Sequence, residues 1–254
     1  MVRWVNNIEL TNYSKNIKQT VALPCYNAKH IGWIALESLC RQKPTPYDWE
    51  LIVCEEPHDG MLGADFFASY ANRLLAAGCN RIIYLPLDSW VPLATKWHLI
   101  AKQADENSIS FIKADADCYS PQGRLELSHK LVLDGYDWID YTKGYFYHIP
   151  MKKLVLYDAT QRTNLSMAFP TKLAKLLNAS DKKRYIDSYL YRSIAPKKVY
   201  RVNDLVPSVD TDGHNNISNR KDYYINPKPP FVSTSNTIDT IGLPKDIVDK
   251  LWKM

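Results

Sequence analysis

Four short apolar runs, each but the last followed at once by a segment of helical periodicity, leave this 254-residue chain few ways to fold. The runs are Thr20–Asn27, Trp49–Cys54, Arg81–Leu85 and Ile109–Ile112. Their length and Ile, Val and Leu content suit strands buried on both faces. Between them, Lys29–Gln42 places Ile31, Ile34, Ala35, Leu39 and Cys40 at helical spacing. Asp65–Ala77 gathers Phe66, Phe67, Tyr70, Ala71, Leu74 and Leu75 on one side, and Leu93–Ala104 forms a third helix. Pro44 and Pro46 stop the first helix, and Gly78 caps the second. Strand starts fall about 30 residues apart, the span of a right-handed parallel βαβ unit. After the fourth run, Gln122–Asp134 reads as a helix closed by Gly135. The expectation is an α/β fold with a mostly parallel central sheet covered by helices on both faces.

Beyond residue 136 the pattern changes. Trp138–Ile149 alternates and is rich in Tyr, and Lys152–Tyr157 is a further strand candidate; both read as antiparallel or peripheral. Met167–Asn178 reads as a helix with Leu173, Leu176 and Leu177 inward, Lys182–Ser193 as another, and Val199–Val202 as a short strand. Residues 207–230 are polar and read as one long loop, a lid or a disordered stretch. Leu243–Met254 reads as a terminal helix showing Ile247, Val248, Leu251 and Trp252. Packing against the domain is its plain reading, with peripheral membrane contact as the alternative. Residues 1–18 give no clear pattern and suit an extra strand or a cover over a sheet edge.

Composition removes several classes. No stretch approaches 18 apolar residues, so no transmembrane segment is expected. Met1–Gln19 carries charged and polar residues throughout and lacks the apolar core of a signal peptide. Five cysteines, without a C-x-x-C spacing, read as reduced core residues of a cytoplasmic protein rather than a zinc site. The net charge of +5 is spread along the chain, which is compatible with an anionic ligand and does not call for nucleic acid. Seventeen Tyr and seven Trp suit sugar or base stacking, and equally an ordinary core.

The fourth run ends in Asp115-Ala116-Asp117. In open α/β sheets ligands bind outside the carboxyl ends of strands. Two carboxylates there suit a hard divalent cation, which in turn holds a diphosphate. A solvated turn is the other reading of so short a motif. Neither G-x-G-x-x-G nor G-x-x-x-x-G-K-[ST] occurs in the first half, so the sheet is not that of an ordinary dinucleotide-binding domain or a P-loop nucleoside triphosphatase.

These residues fall into a known order. Val21-Ala22-Leu23-Pro24-Cys25-Tyr26-Asn27, then Ala35, Ser38 and Gln42 on the following helix, then Glu50-Leu51-Ile52-Val53-Cys54-Glu55-Glu56, then Asp115-Ala116-Asp117 with Pro121 behind it, resemble the GT-A fold nucleotide-sugar glycosyltransferases, glycosyltransferase family 2 most of all. The match covers residues 20–125, and 160–195 more loosely. It implies a single domain over 1–254, with a nucleotide-sugar-binding half at 20–125, a smaller antiparallel acceptor-side half at 136–205, a flexible loop or lid at 207–230 and a tail at 231–254.

The resemblance also implies roles. Pro24, Tyr26 and Glu56 would hold the nucleotide base, with Glu-Glu standing where Asp-Asp is usual. Lys96, on the helix before the metal strand, would lie near the nucleotide. Asp115 would meet the ribose, and Asp117 would coordinate Mn2+ or Mg2+ bridging the two phosphates. A base must deprotonate the acceptor hydroxyl. The matching position is Asp187, although Ile186 replaces the usual Glu, and Asp181 is a rival that also suits a helix cap. His214, in a polar loop, is a further metal-ligand candidate, and Ser218 and Arg220 would contact the diphosphate as that loop closes.

The implied activity is an inverting, metal-dependent transfer from a nucleoside-diphosphate sugar, for example a UDP-linked one, to a hydroxyl of a glycan or similar acceptor. The alternative is a non-catalytic nucleotide-sugar or glycan-binding module on the same fold. A sugar-nucleotide pyrophosphorylase would need a Gly-rich loop after the first strand, and Pro24–Lys29 holds no glycine.

Overall fold

A computed structural model describes residues 8–12, 16–158, 167–181, 186–203, 209–212, 224–225, 227 and 231–254. The main sheet is built from β1 (Ile8–Asn12), β2 (Ile17–Cys25), β3 (Asp48–Glu55), β4 (Cys79–Pro86), β5 (Ser110–Lys113), β7 (Trp138–Tyr141), β10 (Met167–Pro170) and β11 (Val199–Val202), in the order β1-β4-β3-β2-β5-β10-β7-β11. The β4–β3, β3–β2 and β2–β5 pairings are parallel, as the sequence predicts. β1 adds antiparallel to β4 and covers that edge.

Side chains alternate across each central strand, and both faces are buried. Val21, Leu23, Leu51 and Val53 pack on one face against α1 (Trp33–Cys40), α3 (Ala71–Ala76) and α5 (Arg124–Leu133). Ala22, Ile52 and Cys54 pack on the other against α4 (Leu93–Gln103) and α7 (Ile186–Ile194), through Trp97, Ile100, Leu190 and Ile194. Two-sided burial explains why these strands read as continuous apolar runs. All five cysteines are free thiols. The terminal helix α8 (Lys245–Lys253) buries Ile247, Val248 and Leu251 in the first of these cores, which is the packed reading of the tail.

A second sheet has the order β13-β9-β8-β12-β6. Its strands are β6 (Cys118–Tyr119), β8 (Lys143–His148), β9 (Lys153–Asp158), β12 (Val209–Asp212) and β13 (Phe231–Ser233). All its pairings are antiparallel except β12–β8.

Several expectations are corrected. Trp138–Ile149 is not one peripheral segment: β7 lies inside the main sheet, and β8 belongs to the second. Met167–Pro170 is a strand, because Met167, Ala168 and Phe169 fill the gap between β5 and β7. Only α6 (Thr171–Ala174) is helical after it, and Leu176 is 71% exposed. The rings of Trp138 and Phe169 stack at 5.4 Å and 7°, and Phe169 stacks on Phe111, so the strand is held by cross-strand aromatic pairs worth about 0.5–1.5 kcal/mol each. The helix expected over 65–77 breaks at Tyr70 into α2 (Ala64–Ser69) and α3, leaving Leu75 exposed. The stretch 207–230 is not all loop, since β12 inserts between β8 and β6.

Candidate active site at the carboxyl rim of the parallel strands

β2 runs out through Cys25 into Tyr26, whose side chain is 41% exposed, and Asn27, which has a φ of 48°. Asn is among the few residues that tolerate this left-handed conformation. Gly60 packs against it: a Cβ there would lie 2.0 Å from Asn27 Oδ1. The N–H of Lys29 donates to the Gly60 carbonyl at 2.8 Å. His58 Nδ1 accepts the Gly60 N–H at 3.0 Å, which leaves the ring proton on Nε2, and its ring meets Tyr26 edge-on at 5.0 Å.

The two glutamates that end β3 do different work. Glu55 is buried and accepts from the N–H groups of Leu62 and Gly63 and from the Tyr84 hydroxyl, so it pins the loop after β3. Burial and the Glu55 charge push the Tyr84 hydroxyl far up. Glu56, 1% exposed, accepts from Lys96 Nζ at 2.9 Å through one oxygen and from the Val91 N–H at 2.9 Å through the other. Lys96 Nζ also donates to the Cys25 carbonyl at 2.8 Å and stands 5.6 Å from the centre of the Tyr26 ring. Lys96 is therefore no surface lysine; it staples α4 to the ends of β2 and β3.

Asp115-Ala116-Asp117 sits where the chain leaves one sheet for the other. The Ala114 N–H makes the last bond to β2, at the Ala22 carbonyl, and the Cys118 N–H closes a turn on the Asp115 carbonyl at 3.1 Å before β6 begins. Asp115 Oδ2 pairs with Lys113 Nζ at 2.8 Å. Asp117 is half-buried, and its Oδ1 lies 3.7 Å from the Cys118 thiol. Beneath the turn, buried Arg124 donates to Ser120 Oγ at 2.6 Å and to the Lys113 carbonyl. Gln42 clamps the next segment: its Nε2 donates to the Pro121 and Ser38 carbonyls, and its Oε1 accepts the Leu125 N–H. Burial pushes the Cys25 thiol well up, and Glu55, Lys96 and Asp117 all act on it. The ends of β2 and β3, the helix α4 and the acidic turn thus converge on one place.

Tyr26, Glu56, Lys96, Asp115 and Asp117 are brought to this rim, beside Pro24. The Asp187 backbone occupies the second residue of α7, near the start of a helix that packs beside α4, and its side chain lies outside the described residues. Asp181 is exposed, next to Ser180, which bonds Thr95 at the start of α4. His214, Ser218 and Arg220 lie outside the described residues. The sequence motifs give no role to Lys113 or Arg124, whereas His58, read from the sequence as structural or surface, braces the loop after β3. A lysine inside the run Ser110-Phe111-Ile112-Lys113 was the available signal, since lysine is seldom buried unless paired.

Among the described residues no three His, Cys, Asp or Glu side chains come together to hold a metal ion. Two carboxylates fit an ion that takes its other ligands from water and substrate phosphates, which is the usual habit of Mg2+. A cavity of about 390 Å3, lined in part by Lys153, Asn236 and Trp252, includes none of these rim residues.

No family model matches the chain, and no curated protein matches it in sequence. Solved structures match its fold. TarS of S. aureus, residues 1–349 in complex with UDP-GlcNAc, superposes with a TM-score of 0.61 at 15% identity, over 79% of this chain and 60% of that one. The mannosyltransferase PcManGT from Pyrobaculum calidifontis, in complex with GDP-Man and Mn2+, gives 0.56 at 15% identity, over 83% of this chain and 60% of that one. This chain has the GT-A fold. It spans about 60% of the length of these two structures. Among its described residues no helix is long and apolar enough to cross a membrane.

Proposed function

We propose that this GT-A protein is a nucleotide-sugar glycosyltransferase, family 2-like, inverting and dependent on Mn2+ or Mg2+. The observation that carries the reading is the convergence, on one carboxyl-end rim, of an exposed Tyr26, the buried Glu56–Lys96 pair and the Asp115/Asp117 turn. Structures of the same fold hold UDP-GlcNAc in TarS, and GDP-Man with Mn2+ in PcManGT. In this reading Tyr26 offers its ring to the base, and Pro24 shapes the same loop. The Glu56–Lys96 pair keeps that loop in position; both oxygens of Glu56 already have donors, so a base N–H would have to use a remaining lone pair. Asp115 accepts from the ribose. Asp117, with His214 brought in from its loop, would hold the ion, which when bound offsets charge on the departing diphosphate. Ser218 and Arg220 would close on the same phosphates.

Asp187 takes the proton from the acceptor hydroxyl as that oxygen attacks the anomeric carbon on the face opposite the diphosphate, inverting it. Asp187→Asn removes the proton acceptor while keeping the shape. Turnover should fall by about 100- to 10,000-fold with nucleotide affinity unchanged. Product release from a panel of nucleoside-diphosphate sugars, read beside calorimetric binding of the nucleoside diphosphate, checks this. Undiminished turnover in D187N rules out that base. The acceptor in this reading is a glycan or other hydroxyl compound, and the setting is the cytoplasm, where the five thiols stay reduced.

A further inference from the structure

Lys113 lies two residues before Asp115, at the end of a strand buried at all four positions. Its side chain is 6% exposed, and its ammonium stands 2.8 Å from the carboxylate of Asp115, which is 24% exposed. An ammonium so enclosed is kept only where a negative partner is fixed. A second cation supports the same turn. Arg124, also buried, grips the Lys113 carbonyl and Ser120, and Asp115 is among the charges that act on it. Two fixed positive charges therefore accompany the two carboxylates of the acidic turn. Lys113 and Arg124 thus offset part of the carboxylate charge of the turn before any ligand arrives, and Asp117 is half-buried.

A divalent ion is drawn to net negative charge and repelled by a cation a few ångströms away. A turn whose carboxylate already faces resident cations has a weaker hold on such an ion by itself. A nucleoside diphosphate adds several negative charges and more oxygen ligands, and restores the attraction. Resting on the donor site proposed above, we propose that Lys113 is a resident cation of that site, positioning Asp115 and suppressing divalent-ion binding by the free protein. The ion is then retained only together with a nucleoside diphosphate.

The test is a Mn2+ titration of the whole chain, read from the electron paramagnetic resonance signal of the free ion. Wild type, K113M and K113R are compared, each alone and with UDP, GDP, CDP, ADP or dTDP, after subtracting Mn2+ bound by the nucleotide itself. Wild type alone should retain little Mn2+, and the nucleoside diphosphate that binds should raise the affinity about tenfold or more. K113M should bind Mn2+ about tenfold more tightly than wild type without nucleotide, and K113R should match wild type. K113Q replaces K113M if the latter does not fold. If the neutral variant binds Mn2+ no better than wild type while a nucleotide still raises wild-type affinity, Lys113 only props the turn and the proposal fails, with the donor site intact. If no nucleotide raises Mn2+ retention in wild type, both the proposal and the donor-site reading fail.

Discussion

Lys96 shows how a single side chain joins pieces far apart in sequence. Its ammonium meets the Glu56 carboxylate and the Cys25 carbonyl, and all three groups are shielded from water. Lys96→Met would leave the Glu56 charge buried with the Val91 N–H as its remaining protein donor. Removing one partner of a buried pair typically costs about 3–5 kcal/mol. Urea unfolding of K96M should show a loss of that order, and a loss under 1 kcal/mol would mean that water reaches Glu56. The place of the acidic turn was legible because the apolar run Ile109–Ile112 ends just before it, although Asp-x-Asp by itself equally suits a solvated turn. The split between Glu55 and Glu56 was not. Glu55 takes its partners from Leu62, Gly63 and Tyr84, and Glu56 from Val91 and Lys96, and nothing local marks those residues as neighbours. Ser38 and Gln42, legible only as motif positions, turn out to act on backbone: Ser38 bonds the Ala35 carbonyl, and Gln42 ties α1 to the segment behind the acidic turn.

At the scale of elements, α1 is tied to α3 and α8 by one carboxylate. Glu37 is buried on α1, is held in a two-pronged grip by Arg73 of α3, and is reached by Arg41 and by Lys250 of α8. The Arg73 hydrogen bonds hold its carboxyl down from an ordinary 4.5 to about 2, against the upward push of burial. A carboxyl lowered in the folded state contributes stability that is fully present above 4.5 and is lost as pH falls through 2. With Arg73 and Lys250 half exposed, solvent screening leaves on the order of 2 kcal/mol. Unfolding free energy measured from pH 6 down to 2 should show this fall in wild type, and Glu37→Gln should flatten it; parallel curves for the two proteins would refute the assignment. The parallel strands β2 to β5 were legible because each is a local apolar run flanked by a helix. β10 and β12 were not. Met167–Pro170 is too short to show a period, and Val209–Asp212 is polar at three of its four positions; each becomes a strand because a sheet has a gap for it.

For the molecule as a whole, the two sheets meet at the acidic turn. β5 ends in the main sheet at Lys113, β6 begins in the second at Cys118, and Asp115 and Asp117 occupy the crossing. That placement puts the turn beside the strands that carry Tyr26 and Glu56, and beside the smaller sheet in which an acceptor side is expected. The fold class followed from the β–α alternation alone, and superposition on TarS and PcManGT bears it out. The second half was less legible because its strands pair across long sequence gaps, as β11 does with β7 and β12 with β8. In the proposed function this crossing binds a nucleoside diphosphate with the help of a divalent ion held by Asp117. The most direct test is calorimetric binding of nucleoside diphosphates to wild type and Asp117→Ala, each with Mn2+ and with chelator. Wild type should bind at least one nucleotide about tenfold or more tightly with Mn2+ than without, and D117A should lose that gain while keeping the residual affinity from the Tyr26 loop. Equal Mn2+ enhancement in D117A, or no nucleotide binding by wild type under either condition, would rule out an ion held by Asp117 in a donor site at this crossing.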